Sequence, residues 1–486
     1  MPSRAAARHA RGGPAVTRTA VGGILRPVAM KPVIDVHAHV FRGIDIPLKG
    51  YLLSRTYDWP LKLAAPLLVP VIARCVRRRV RAEVPGVVCR SVLELAYRVM
   101  GRGYRRWAEI LSQRDLAAVA RLLVEEFPGD GIGLSVPLMI DYEYWFRTTR
   151  DIQVDDQVRA VASRVVVPFA GRIHPFVPFD PARELAWRMR LPRPDDPAVG
   201  PAEHVSSLAL AKDAVLRRGF IGVKLYNSLG YRPLGNEAVD GERRRHFRRI
   251  GRPRYCVFTG AEIDAVLDEL YAFCTEYQVP IVTHCGSDGI EAYPGASFTF
   301  GSPELWRPVL RRHTGLHLDL AHFGWRHGLR YADARQRRRR GGENWIRTIL
   351  GMLAEHPNLY TDVAHHEVVT AEAERSFAED YRAMCADFPG LVPRRLLFGI
   401  DWHVITRMDG FEGFKAAYAR ILGDGEIFTP SEIEDFFGGN ALRFLGLLPP
   451  ATAGFHGWTM NRMRLASFYA ANGIEPPAWF ASTEDS

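Results

Sequence analysis

The sequence has no stretch of about 18 uninterrupted apolar residues, the minimum for a membrane-spanning helix. The nearest candidate, LKLAAPLLVPVIARCVRRRV, is cut by Pro66 and Pro70 and then turns basic; it reads as a buried or lid helix rather than one lying on a membrane surface. Cysteine is sparse as well. Cys75, Cys89, Cys256, Cys274, Cys285 and Cys385 form no C-x-x-C pair and no dense framework, which argues against a disulfide-stapled secreted scaffold and for a reducing cytoplasm. Acidic residues are missing from the first thirty positions, which hold Arg4, Arg8, Arg11, Arg18 and Arg26 among Ala and Gly. Lacking an apolar h-region, residues 1–30 are not a secretory signal. They are expected to form a basic, disordered tail, although a transit peptide or translation from Met30 would explain the same composition, and they are set aside from the fold.

What is present suits a soluble globular enzyme. The 486 residues are 47% hydrophobic and 24% charged, enough for one barrel of about 250 residues with insertions. The net charge of +10 is concentrated in the N-terminal segment and in runs such as Arg77 to Arg79 and Arg337 to Arg340. Such runs are usually solvated faces, and without aromatic interleaving or a recognisable module no nucleic-acid partner is expected. A small anionic substrate drawn by the net field is the more useful reading.

From Lys31 onward one unit recurs: a short apolar, β-branched run, a polar or glycine-bearing loop, and an amphipathic stretch. Such alternation predicts βαβ units and a parallel sheet. The runs are VIDVHAHV (33–40), GIGLSVPLMI (131–140), HPFVPFD (174–180), IGVKLY (221–226), PIVTHC (280–285), LHLDLAH (316–322), NLYTDVA (358–364) and LLFGIDW (396–402), eight in all. Polar residues mark the later runs at 224, 284, 322, 362 and 401, and the last three intervals are 38, 40 and 39 residues. That regularity predicts a closed (β/α)8 TIM-type barrel over residues 31–450. Helix starts are read at Thr259 with Glu262, at Ser302 with Pro303, at Asn344, at Thr370 and at Ser431 with Glu434.

Two segments break the rhythm. About ninety residues separate the first two runs and contain the helical patterns SVLELAYRVM and RRWAEILSQRDLAAVARLLVEEF; an insertion of that length, about 43–128, is read as a helical cap over the catalytic end. The extension 451–486, with Trp458, Phe468, Tyr469 and Trp479, is too aromatic for a free tail. It is expected to pack on the barrel or on a partner subunit of a homodimer.

The chemistry starts at VIDVHAHV. Two histidines at i and i+2 on a strand share a face, so His37 and His39 can reach one ion. Alone the pair is ambiguous, because two core histidines look the same. His284, His322 and Asp401 each end a later run, and barrel active sites are built at the strand C-termini. Five metal-type side chains from four strands therefore converge. His174 stands at the wrong end of its run and reads as structural, Asp35 reads as a supporting or core residue, and Tyr226, Asn227, Arg232, Asp141, His365 and His366 are placed to line the pocket, although each is more often a loop hydrogen-bonder than a catalytic group.

At this point the chain resembles the amidohydrolase superfamily, in the amidohydrolase-related branch that includes aminocarboxymuconate-semialdehyde decarboxylase. The motifs IDVHAH, GVKLY, THCG, AHFG, LLFGIDW and GNALRFLGL occur in order from about Val33 to Leu447. The resemblance implies a metal-dependent hydrolase fold. It implies a divalent metal, Zn2+ first, bound by His37, His39, His284 and Asp401, with His322 as general acid/base or as a ligand of a second ion, and Asp401 accepting a proton from water. Lys224 ends the fourth run, where two-metal relatives carry a carboxylated lysine; a substrate-binding or structural cation with a single ion is the preferred reading. Tyr226, Arg232 and His365 are candidates for the substrate side.

The expected activity is hydrolysis of an amide, ester or lactone of a small molecule. The alternative is decarboxylation of an unsaturated or aromatic carboxylic acid by the same site. A barrel kept only for binding would have lost a ligand position, and none is lost.

Overall fold

The computed structural model describes residues 31–47, 70–71, 73–76, 102–127, 130–146, 152–169, 171–192, 205–286, 289–325, 331, 344–448 and 460–481. The basic segment 1–30, the pattern SVLELAYRVM and the arginine runs at 77 to 79 and 337 to 340 lie outside these residues.

Each of the eight apolar runs holds a strand: β1 Val33–Ala38, β2 Ile132–Pro137, β3 Phe176–Pro178, β4 Gly222–Leu225, β5 Ile281–His284, β6 Leu318–Ala321, β7 Leu359–Asp362 and β8 Leu396–Leu397. Their near-continuous apolar character is what a parallel strand covered on both faces requires. β3 to β8 pair in sequence order, with Lys224 opposite Val282, His284 opposite Ala321, and Asp362 opposite Leu397. β1 pairs with β2. Parallel bridges at Ser135–Ile173 and Leu138–Phe176 join β2 to the start of β3. The ring closes between its last and first strands, where Val36 N donates to Phe398 O at 3.0 Å and Asp401 N to His37 O at 2.6 Å. The barrel is thus a (β/α)8 closure in strand order.

The helix starts follow local chemistry. Thr259 and Glu262 form a capping box on helix Gly260–Glu276, and Asn344 and Thr370 cap helices Trp345–Glu355 and Ala371–Asp387 through their side chains. Two expected starts differ. Pro303–Trp306 is a 3-10 turn with no side-chain cap from Ser302. The capping box expected at Ser431 and Glu434 is made by Thr429 and Glu432; both pairs fit the spacing, and Pro430, favoured at the first helical position, selects the earlier start.

The single long pattern at the end of the insertion divides into helices Arg102–Leu111 and Leu116–Glu126. The insertion is anchored beside β1: Gly43 N donates to Leu111 O at 2.8 Å, and Arg42 pairs with Asp45 and donates to Arg114 O. At the opposite end of the barrel, helix Met460–Asn472 and turn Ala478–Ala481 lie against the strand starts. There the Asn461 amide donates to Ile221 O and Leu445 O, both at 2.7 Å, and Trp479 Nε1 donates to Gly171 O at 2.9 Å. Among the described residues no helix is long and apolar enough to cross a membrane.

Candidate metal centre

The strand C-termini deliver their polar residues in an unusual backbone conformation. His322, Phe323, His365 and Asp401 all have positive φ, between 50° and 66°. Left-handed backbone at a non-glycine residue costs roughly 1–2 kcal/mol, and such strain gathers at functional sites. It is held by specific bonds: His322 N donates to Asp362 Oδ1 at 2.8 Å, His365 N to Ile400 O at 3.3 Å, and Asp401 N to His37 O.

Asp362, at the end of β7, is the hub. Its Oδ2 accepts from His37 Nδ1 at 2.7 Å, and its Oδ1 accepts from His322 N and from Ala364 N at 3.0 Å. Burial works against the Asp362 charge, but the His37 ring and the His322 backbone N–H outweigh it and hold the carboxyl below its ordinary range. His39 Nδ1 faces Leu138 O at 2.7 Å and His322 Nδ1 faces Ala364 O at 3.0 Å. In the His37 and His39 rings an acceptor fixes the proton on Nδ1 and leaves the Nε2 lone pair for the cavity, the form in which histidine binds a metal; the His322 Nε2 faces His284 Nδ1. Burial pushes His37 well below its usual value and His39 down to about 3, so both stay neutral.

One donor atom each from His37, His322 and Asp401 lie within 4.8 Å of one another. His39 Nε2 is 3.4 Å from Asp401 Oδ1. His284 Nδ1 lies 3.1 Å from His322 Nε2, and its ring stacks on Tyr226 at 4.7 Å. Asp401 Oδ1 is buried and makes no hydrogen bond, and burial raises its carboxyl to about 6. An orphaned buried carboxylate oxygen among neutral imidazoles is a poor arrangement for the protein alone. It fits a divalent cation, and the imidazole-rich donor set suits zinc.

The cavity above these groups has a volume of about 80 Å³. His37, His39, His284, His322, His365, Asp401 and Tyr226 all line it; Arg232 and Lys224 do not. Lys224 is buried, with Nζ 5.8 Å from the Tyr226 ring and no hydrogen bond, and burial lowers it to about 8. The Arg232 backbone brackets Asn236, with N donating to Oδ1 and O accepting from Nδ2. Asp35 ties β1 to β8, its Oδ1 accepting from His37 N at 3.1 Å and Ile400 N at 3.0 Å. Asp141 pairs with the buried Arg183, the Asn227 carbonyl accepts from Thr283 Oγ1, and His366 Nε2 lies 3.2 Å from His322 O.

Several residues of the site escaped the sequence reading. Asp362 carried a signal, standing at the regular interval of the strand-end residues. His403, Val404 and Arg407 line the cavity from the short helix Trp402–Ile405 and the turn after it, and Trp107 reaches the cavity from the insertion. Gly289 lies so close that a Cβ there would sit 2.7 Å from both His284 Cε1 and the Tyr226 hydroxyl.

The sequence profile of the family described as Amidohydrolase matches residues 34–447. No curated protein matches the chain. Among solved structures it is similar to an amidohydrolase from Burkholderia multivorans with bound zinc, at 15% identity over 72% of this chain and 93% of that one, TM-score 0.39. It is also similar to 5-carboxyvanillate decarboxylase from Novosphingobium aromaticivorans with bound manganese, at 13% identity over 85% and 97%, TM-score 0.40. The same enzyme from Sphingomonas paucimobilis matches at 12% identity over 85% and 98%, TM-score 0.37.

Proposed function

The chain belongs to the amidohydrolase family and is a metal-dependent enzyme, and on that premise we propose that it hydrolyses an amide, ester or lactone of a small molecule. The observation that carries this reading is Asp401 Oδ1, buried without a hydrogen bond 3.4 Å from His39 Nε2 and grouped with His37 and His322. His37, His39, His284 and Asp401 hold the ion, with zinc as the first choice. A divalent ion there supplies Lewis acidity, bringing the pKa of water down towards 7 and polarising the bond to be cleaved.

The protein's own groups divide the rest. Asp362 keeps His37 in its ligating tautomer and fixes the backbone of His322. Asp401 accepts the proton of the attacking water. His322, whose ring centroid lies 4.7 Å from that of His37 and 4.8 Å from that of His284, gives the leaving group a proton first taken up from solvent at Nε2, and Asp401 returns the water's proton to solvent to close the cycle. Trp107 and Ile46 bring apolar surface from the insertion to the cavity, which supports the insertion's role as a cap that excludes water. Among the described residues Cys75, Cys256, Cys274, Cys285 and Cys385 form no disulfide, which supports a reducing compartment such as the cytoplasm.

Decarboxylation is the second reading, favoured by Arg407, a cation lining the cavity that can receive a carboxylate. Metal analysis of the purified protein and of His322→Asn tests the site. Bound zinc in both, with turnover lost in the variant, supports a proton-donating His322 and one ion. Loss of one metal equivalent in the variant makes His322 a ligand, and no metal in the parent overturns the proposal. An ester and lactone panel run beside a CO2-release assay on aromatic acids chooses the reaction. Acid release without CO2 is expected; CO2 as the only product would make the enzyme a lyase.

A further inference from the structure

We propose that Arg407 is the specificity-determining anchor of this site and that it selects a flat, otherwise apolar organic acid by its single carboxylate. The proposal rests on the reading of the cavity as the active site.

Helix Trp402–Ile405 continues through Thr406 N to Trp402 O at 3.0 Å and Arg407 N to Val404 O at 3.2 Å. Residues 403 and 407 are therefore one turn apart on the same face, and both line the cavity. Arg407 is the only permanently cationic side chain among the described lining residues, and Asp401 is their only acid. Its Nε donates to Val404 O at 3.0 Å, which orients the guanidinium plane before any ligand arrives. A planar guanidinium held this way matches an oxyanion through paired hydrogen bonds, a fit that lysine's point charge lacks.

The remaining walls are apolar or aromatic, and their rings are already fixed. Phe41 stacks on His403 with centroids 4.4 Å apart and planes 21° from parallel, and Tyr226 stacks on His284 with planes 15° apart. Tyr142 sits beside Tyr226 at 6.4 Å. Rings held by such stacking suit a planar ligand body. The small cavity volume restricts that body to a small molecule. Beside the ion, a single guanidinium fork matches the two oxygens of one carboxylate, and Lys224 does not line the cavity to add a second side-chain cation.

The test titrates the full-length protein, as purified and with its metal content measured on the same sample, with three probes by calorimetry: benzoate, its neutral isostere benzamide, and phenyl phosphate. Benzoate is expected to bind at least tenfold more tightly than benzamide and more tightly than phenyl phosphate. In Arg407→Met the benzoate-to-benzamide ratio should fall to near one with metal content unchanged. Arg407→Lys should keep an intermediate ratio, and it remains readable if the Met variant does not fold. Equal affinity for benzoate and benzamide in the parent, preference for phenyl phosphate, or an unchanged ratio in a folded Arg407→Met that retains its metal would each overturn the inference. A parent lacking metal sinks the hydrolase reading, yet the ratio still reports on Arg407.

Discussion

His174 at the strand starts and the histidines at the strand ends are treated in opposite ways. At the strand starts, His174 is buried and both ring nitrogens are matched: Nδ1 meets Gly219 O at 2.8 Å and Nε2 meets Tyr469 Oη at 2.7 Å. A neutral imidazole has one donor and one acceptor, and both are used up inside the protein. At the strand ends, His37 and His39 each make a ring hydrogen bond only through Nδ1, and His322 Nε2 meets no backbone group but another histidine of the site, His284. The same end leaves Asp401 Oδ1 without a hydrogen bond and bends four non-glycine residues into the left-handed region. His174 completes its polar chemistry internally; the strand ends hold donors and strain ready for something that binds. This is the separation of stability from catalysis that barrels of this class show.

The sharpest way to break that contrast is to place a methyl group at each end. Gly289 has φ +107°, and a Cβ there would meet His284 Cε1 at 2.7 Å and His284 Nε2 at 2.8 Å. Gly171 has φ +72°, and its Cβ would strike Pro477 in the C-terminal extension at 2.4 Å. Gly289→Ala should therefore lower turnover by about 100-fold or more, since misplacing reacting groups by an ångström is worth that much, a loss beyond what its strained φ takes from stability. Gly171→Ala should do the reverse, lowering the melting temperature with kcat and KM near the parent. Turnover and melting curves for both variants decide it. If Gly171→Ala lost activity without losing stability, the two ends would not be separate.

A smaller effect is expected behind the metal site. Asp362→Asn keeps the size of the hub but removes the charge that His37 Nδ1 leans on, and supporting partners of this kind are worth about 10–100-fold in metal affinity. Competition with a chelator should show weakened metal retention in that variant, and added metal should restore much of its turnover. Retention equal to the parent would reduce Asp362 to a backbone clip for His322 and Ala364.

Asp362 also shows where reading the sequence ends. The eight apolar runs contain the eight strands, because a parallel strand covered on both faces is visible as composition alone. His37, His39, His284, His322 and Asp401 could be singled out because each lies at or just past the end of such a run. Asp362 shares their spacing, yet its partner is 325 residues away, and only barrel closure between β8 and β1 brings the two together. Arg407 and His403 were invisible for a related reason: they follow the last strand on a helical turn, and whether that turn faces the cavity or solvent depends on the packing of Trp402, whose Nε1 donates to His39 O at 2.7 Å. Trp107 comes from the insertion, where helical periodicity gives the element but not the surface it covers. The capping box at Thr429 was missed on purely local grounds, since two overlapping matches compete and the proline between them decides.

The smallest expected effect lies at the far end and depends on pH. Burial lowers His174 from its ordinary value of 6.5 to about 4, against the opposing pull of Gly219 O. A base whose folded pKa is depressed is favoured in its neutral form, so the stability it contributes is intact above about 6.5. As the pH falls the unfolded chain takes up the proton first, and that stability is lost on the way down to about 4. At about 1.4 kcal/mol per unit the loss amounts to roughly 3 kcal/mol over the window. Carboxylates titrate in the same range, so the informative quantity is the difference between the parent and His174→Gln, measured by urea unfolding at steps from pH 7 to pH 4. The parent should lose about 3 kcal/mol more than the variant, while kcat, KM and metal content at pH 7 agree between the two. Parallel pH profiles would show that His174 is not held neutral by its surroundings, and a change in KM or metal content would show that the strand starts and the strand ends are coupled after all.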